Sequence, residues 1–437
     1  MKRFSIVCIS IITMILLVGC TEKKVTTKTT TTTTTTTNTP LDDVLSYEMK
    51  GSFDFFWNET MTTESLKSYG LTKDRTNGPV ASIASSGFAL SAIPIGIENG
   101  YITYDEGYER ALKTLKSLKE LEREHGFYYH FYTYLTGKKR DGVELSNIDT
   151  AIFISGALFA GEYFGGEVTT VAKEIYDEVN WQWFYNDSKN QFYMAWYPDK
   201  GFQGAWDFYA EQLMMYVLAA GSDTYPVGKE AYDGFIKHVA TYKDHTFIHS
   251  WFGSLFTYQF SHAWIDFRNI TDSKGINWFD NSVEASLANY EYTQSQSSRF
   301  ETFNENVFGM TASDGPFGYS GYYGAMPSGY DNKAHKNDGT IPPCGALGSI
   351  VFTPELSINA ANYFYNEIGE KIKGKYGFTD AYNLDEDWYA SSHIGIDKGI
   401  TLLMIENYRN ETIWTHFMKN DQVQKGLETL GFTESGE

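Results

Sequence analysis

The sequence predicts an all-α toroid, a ring of helix hairpins, and three observations carry that reading. Amphipathic helical patterns recur from end to end of the 437-residue chain, with apolar residues three and four apart on one face. Glycine-marked turns in ENGYITYDEGYERALKTL, FGGEVTTVAKEIYDEV and AAGSDTYPVGKEAYDGF each end one helix and begin another, about 60 residues apart, which is the spacing of successive helix hairpins. No alternating apolar and polar run is long enough for a major sheet.

Taken in order, residues 1–20 carry Lys2-Arg3, an apolar run from Ile6 to Val18 and LVGC ending at Cys20. This predicts a secretory signal whose apolar stretch is too short to span a membrane, and LVGC resembles a bacterial lipobox that would place a lipid on Cys20 and anchor the exported chain at the cell envelope. An ordinary signal peptide is the alternative. Residues 21–40, with threonine unbroken from Thr29 to Thr37, have nothing to bury and are expected to form a disordered tether reaching roughly 70 Å when stretched. The folded domain is expected over 41–437, with helices at 42–58, 80–97, 103–122, 147–163, 168–183, 205–220, 227–242, 281–295, 355–370, 397–408 and 421–430. HGFYYHFYTYLTG (125–137) suits a small hairpin. Between 296 and 354 the helical period lapses and Gly, Asp, Ser and Tyr dominate, so loops over one rim of the toroid are expected.

The chain carries a net charge of −20, and its first 40 residues hold five Lys or Arg against one Glu, leaving −24 from residue 41 onward. That sign disfavours a nucleic-acid partner, and none is expected. Only Cys344 falls in the folded part, so no disulfide within one chain supports it and the core must do so. With 32 Tyr, 30 Phe and 10 Trp, the chain has aromatic residues beyond the needs of a core, and aromatics mixed with carboxylates suit a cleft that stacks on sugar rings and binds their hydroxyls.

There is no HExxH, CxxC, Walker loop, helix-opening GxGxxG or GxSxG, so neither a metal nor a cofactor is expected. Carboxylates in aromatic surroundings remain. In AWDFYAEQLMMYVLAAG (205–221), a helix would put Glu211 on a face with Asp207, Phe208, Met214 and Met215, without a basic partner. A glutamate so placed pairs across the fold or faces a cavity. Asp149, with Glu144 five residues earlier, opens an apolar helix, where the dipole alone would favour it. Asp266 lies beside Trp264 and two residues from Arg268, and could be a structural ion pair. Glu305 and Asp314 sit in the irregular region. Asp397 begins an apolar helix, where an N-cap is the plain alternative.

SNIDTAIFISGALFAGEYF, WQWFYN, SHAWIDFR, GMTASDGP, NDGTIPP, YGFTDAYN and GIDKGITLLMIENYR, in that order, resemble the bacterial glucoamylase-like domain of the endo-β-1,2-glucanase family, glycoside hydrolase family 144. The likeness runs from about Leu41 to the C-terminus. It implies an (α/α)6 barrel of inner and outer helices that cleaves β-1,2-linked glucans with inversion. It further implies Glu211 as general acid and Asp397 as base, with Glu144 and Asp149 binding substrate. Trp206, Tyr209, Trp264, Asp266, Arg268, Glu305, Asp314 and Asp338 complete the expected substrate-binding set. Where the family string is GYNE-like, this chain reads FYAE, with Phe208 and Ala210 beside the acid. An inverting hydrolase needs one protonated and one ionised carboxyl; burial should raise Glu211, while the helix N-terminus and Lys398 should keep Asp397 ionised. The alternatives are a transferring or exo-acting enzyme on the same carboxylates, and a carbohydrate-binding lipoprotein without catalysis.

Overall fold

In the computed structural model the described residues are 41–435. The expected signal segment, Cys20 and the threonine tether lie outside them. Six helical elements buried almost all round form an inner ring: Ile83–Glu98, Asn147–Phe164, Leu213–Gly221, Phe256–Gln259 running on into a 3-10 turn to Ala263, Pro343–Leu347 and Gly395–Asn410. An outer set alternates with them along the chain: Leu41–Glu59, Tyr104–Lys119, Gly166–Asp177, Lys229–Asp233, Trp278–Ser295 and Pro354–Asn366. The first inner helix packs on the second and on the last, which closes the ring. This is an all-α (α/α)6 barrel.

Side-chain pattern separates the two layers. Tyr104–Lys119 buries Gly107, Ala111, Thr114, Leu115 and Leu118 on one stripe and opens with a Thr103–Glu106 capping box, as an outer helix with one wet face should. Leu213–Gly221 buries all nine residues, which only an inner position permits. The first two inner helices touch through glycine: a Cβ on Gly156 would stand 2.0 Å from the Gly87 carbonyl oxygen, so any side chain there would force the helices apart.

The strands are short antiparallel pieces. Val80–Ser82 pairs with Thr72–Lys73 and Phe131–Thr133, and Leu145–Ser146 pairs with Ala195–Tyr197. Both lead directly into inner helices, so these small sheets rim the mouth at the N-terminal ends of the ring. The hairpin expected over 125–137 is corrected: Phe127–Tyr128 pairs back with Arg123–Glu124, while Phe131–Thr133 is taken up by Val80–Ser82.

Three expected helices are corrected. The 168–183 pattern ends at Asp177, and Asn180 caps a separate turn, Trp181–Phe184. The 227–242 helix stops at Asp233; beyond Gly234 the chain forms the strand Val239–Tyr242, paired with His245–Ile248. The 205–220 helix starts only at Leu213. Its first half is drawn into extended pairing, because Trp206 N–H donates to the Phe192 carbonyl, Tyr209 N–H to Ile236, and Ile236 N–H to Asp207. Long-range backbone bonds here override local helical pattern. The loop region is real over 296–342, but the expected stretch also hid the fifth inner element, Pro343–Leu347, whose five residues are too few to show a period.

Candidate active site

The N-terminal ends of the inner helices converge on one mouth, and carboxylates gather there. Asp149 lies in the first turn of Asn147–Phe164, after an N-cap supplied by Ser146. Glu211 precedes Leu213–Gly221. Asp397 lies in the first turn of Gly395–Asn410, where Ile394 rather than Asp397 is the N-cap. Helix dipoles at this end favour negative charge.

Glu211 stands in a built turn. The Gln212 side chain accepts from Ala210 N–H at 2.6 Å and donates to the Phe208 carbonyl at 2.8 Å. Ser261 Oγ donates to the Glu211 carbonyl at 2.7 Å and accepts from Met214 N–H at 3.0 Å. The side chain opens on a cleft of about 310 Å³ lined by Met194, Trp206, Phe208, Trp251, Phe252, Phe256 and others. Burial, with a smaller push from the Asp149 charge, raises its carboxyl to about 7, so Glu211 holds a proton in a substantial fraction of molecules at neutral pH.

Asp397 is 7% exposed. Burial raises its carboxyl to about 6 against hydrogen bonds from Asp380 and the Cys344 thiol. Lys398 does not serve it, contrary to expectation: its ammonium ion-pairs with Glu48 on the first outer helix and donates to the Phe378 carbonyl. Around Asp397, Asp314 accepts from Arg75 and from Ser392 Oγ at 2.7 Å, and its own N–H donates to Asp380 Oδ2 at 2.7 Å. Across the mouth, His130 Nδ1 meets Glu144 at 2.9 Å and its Nε2 lies 3.7 Å from Asp149. Burial alone would lower His130, but Asp149, Glu144 and Asp74 raise it to about 9. Burial would likewise raise Glu144, yet the bond from His130 prevails and holds it below the usual range. The His130 cation thus fixes one flank of the mouth.

The remaining expected residues divide. Trp206 lines the cleft and donates from Nε1 to Asn147 Oδ1 at 3.1 Å. Tyr209 contributes to the cleft wall, but its ring is 1% exposed and stacked on Trp278 at 4.7 Å, so it serves the core. Trp264 is fully buried against Phe88, with Nε1 on Ser91 Oγ, and has no face for a sugar. Asp266 and Arg268 form the structural ion pair, extended to Glu411. They follow the C-terminal end of the fourth inner element; Asp266 lines a different hollow with Glu411 and Trp414, and the Arg268 guanidinium lies over the Trp414 ring. Glu305 is exposed and is not among the residues lining the cleft. Asp338 is held by Tyr323, at 2.6 Å, and Lys336 in the loop region; burial would raise it, but these bonds and Thr340 hold it low.

Asp74, Arg75, His130, Asp380, Trp251, Tyr319 and Tyr330 belong to the mouth and were not singled out from the sequence. Asp380 lies inside YGFTDAYN, and Asp74-Arg75 form a charged pair in LTKDRTNGP, so a signal was present for both. Trp251, 40% exposed, and Tyr330, 64% exposed, pack edge to face beside Phe208. Tyr319, half exposed, lies near enough to Asp397 and Asp380 for their charges to raise its phenol further.

This geometry has known counterparts. The Glycoamylase family profile matches residues 203–421. A solved structure of a glucoamylase candidate from Bacteroides uniformis is 31% identical, covering 91% of this chain and 98% of that one, with a TM-score of 0.82. The endo-β-1,2-glucanase of Chitinophaga pinensis, solved with sophorotriose and glucose, is 29% identical over 91% and 99% of the two chains, with a TM-score of 0.81. The exo β-1,2-glucooligosaccharide sophorohydrolase of Parabacteroides distasonis is 28% identical over 89% of this chain, which spans 58% of that relative's length. The chain belongs to the bacterial glucoamylase-like family of (α/α)6 barrels, glycoside hydrolase family 144.

Proposed function

We propose that this protein hydrolyses β-1,2-linked glucans by an inverting mechanism in which Glu211 is the general acid and Asp397 the base. The observation that supports it is the pair of raised carboxyls at one barrel mouth, Glu211 near 7 beside an aromatic cleft and Asp397 near 6 at a helix N-terminus. Between those values Glu211 is mostly protonated and Asp397 mostly ionised, the two states an inverting hydrolysis requires. Glu211 gives its proton to the leaving glycosidic oxygen. Asp397 takes a proton from the attacking water, whose oxygen bonds to the anomeric carbon from the opposite face. The linkage follows from the named activities of the Chitinophaga and Parabacteroides relatives.

The test is incubation with β-1,2-glucan, following new reducing ends and, by proton NMR, the anomer first released. An α-anomer supports inversion at a β-linkage, a β-anomer overturns it, and binding without products makes the protein a carbohydrate-binding module. Disaccharides from chain ends and no longer fragments would mark exo action, as in the Parabacteroides enzyme's name.

We also propose that the chain is exported and held at the cell envelope by a lipid on Cys20, on the strength of LVGC and the threonine tract after it. Metabolic labelling with a fatty-acid probe should mark the wild type and not Cys20→Ala; equal labelling removes the anchor.

A further inference from the structure

Asp380 sits between Phe378 and Tyr382, with its N–H on the Ser392 carbonyl at 2.9 Å and its Oδ2 accepting from Asp314 N–H at 2.7 Å. Its Oδ1 is buried without an N–H or O–H donor, and so is Asp397 Oδ2. The two carboxyls, each with one oxygen lacking a donor, line one small hollow of about 10 Å³ with Cys344, Thr379, His393 and Lys398, and each shifts the titration of the other. Two ionised carboxylates offer only acceptors, so a hydrogen bond between them requires a proton.

The charged and titratable groups around the pair leave no other way to neutralise it. Lys398 is committed to Glu48 and the Phe378 carbonyl. Arg75 donates to Asp314 and Asp74. Burial, then the nearby Lys398 charge, pushes His393 down to about 3, so it is neutral. Cys344 and Tyr319 are held in their neutral forms by burial and by the carboxylates themselves. Asp314 and Asp74 add negative charge. Two buried like charges without a counter-cation do not both ionise.

We propose that Asp380 is a positioning residue that keeps the proton of this pair and donates it as a hydrogen bond to Asp397, holding the Asp397 carboxylate ionised and aimed at the attacking water. Asp397 is the member that ionises first because it has the helix N-terminus and the Cys344 thiol, whereas the Asp314 charge acts on both aspartates. In turnover the water proton goes to Asp397 and the Glu211 proton to the leaving oxygen, while the Asp380 proton stays between the two aspartates. The proposal rests on Asp397 being the base.

The experiment compares wild type, Asp380→Asn and Asp380→Leu. Infrared difference spectra at pH 7.5, taken without substrate and with Glu211→Gln in every protein compared so that the Glu211 carboxyl does not contribute, should show a protonated carboxyl C=O stretch with Asp380 in place that both Asp380 variants lack. Asparagine can still donate to Asp397, so the acid limb of its kcat profile should stay within about half a pH unit of wild type, whereas leucine should move it up by about one unit and lower kcat about 100-fold. Persistence of the band in Asp380→Asn overturns the shared proton, and equal profiles for the two variants overturn positioning. Full turnover in Asp397→Asn would overturn the base assignment alone, because the infrared reading does not depend on it. Matching melting temperatures for wild type and Asp380→Asn keep folding out of the comparison.

Discussion

Arg75 Nη1 donates to both carboxylate oxygens of Asp314, at 3.0 and 3.1 Å, across 239 positions of sequence. The contact ties the loop before the first inner helix to the loop region over the mouth. It also neutralises the carboxylate nearest the Asp380–Asp397 pair. Removing the guanidinium leaves Asp314 uncompensated, and a like charge disfavours ionisation of its neighbours. Arg75→Gln should therefore raise the acid limb of kcat/KM by roughly half to one pH unit and lower activity at pH 6 about two- to fivefold. An unchanged limb would separate Arg75 from the chemistry.

Glu211→Gln and Asp397→Asn should each reduce kcat by about 10²–10⁴-fold, the usual worth of a positioned acid or base. Oligosaccharide affinity, measured by calorimetry, should stay within about threefold, because neither substitution changes the shape of the cleft. Either variant turning over at the wild-type rate loses its assigned role.

The raised carboxyls set a narrow pH optimum. In the proposed roles Asp397 must lose its proton, so activity is expected to rise through about 6, and Glu211 must keep its own, so activity is expected to fall through about 7. A bell-shaped kcat/KM profile centred between these values is expected. Glu211→Gln should abolish the alkaline limb in whatever residual rate remains.

Stability follows the same carboxyl with a definite sign. Glu211 titrates near 7 when folded, above its ordinary 4.5, so the folded chain binds the proton more tightly than the unfolded one. Its contribution is fully present below about 4.5 and is lost as pH rises through about 7. Glu211→Gln should melt with wild type at pH 4.5 and above it at pH 8. A lower melting temperature at pH 8 would contradict the burial of that charge.

Two tryptophans should answer differently to alanine. Trp264 is fully buried, and its loss should cost about 3–5 kcal/mol of stability while sugar affinity in the folded fraction is kept. Trp251 stands exposed on the cleft beside Phe208, and its loss should weaken oligosaccharide binding with little change in melting temperature. Denaturant melts and calorimetry on both variants check the contrast.

The ring was legible because an inner helix is apolar on every side and an outer helix on one, a difference that survives without knowledge of partners. Asp149 and Asp397 stood out in the sequence for the same reason, as carboxylates opening apolar runs. What escaped depends on pairs distant in sequence. Glu211 was read on a helical face beside Met214 and Met215, yet backbone bonds to Phe192 and Ile236 take that stretch out of helix. Its carboxyl is raised by enclosure in the fold rather than by helix neighbours. Lys398 was read as the cation beside Asp397, but its partner is Glu48, 350 positions away. Trp264 and Tyr209 looked like sugar platforms because residue type does not tell a core ring from a cleft ring.

The barrel closes where the first inner helix, Ile83–Glu98, meets the last, Gly395–Asn410, and Asp397 rides on that last helix. A nascent chain therefore has Glu211 in hand some 180 residues before Asp397 is synthesised, and a product that stops short of Gly395 lacks the helix that closes the hoop. With the roles proposed for Glu211 and Asp397, catalytic competence arrives in a single late event, and fragments ending before Gly395 are expected to be inert however well their helices form.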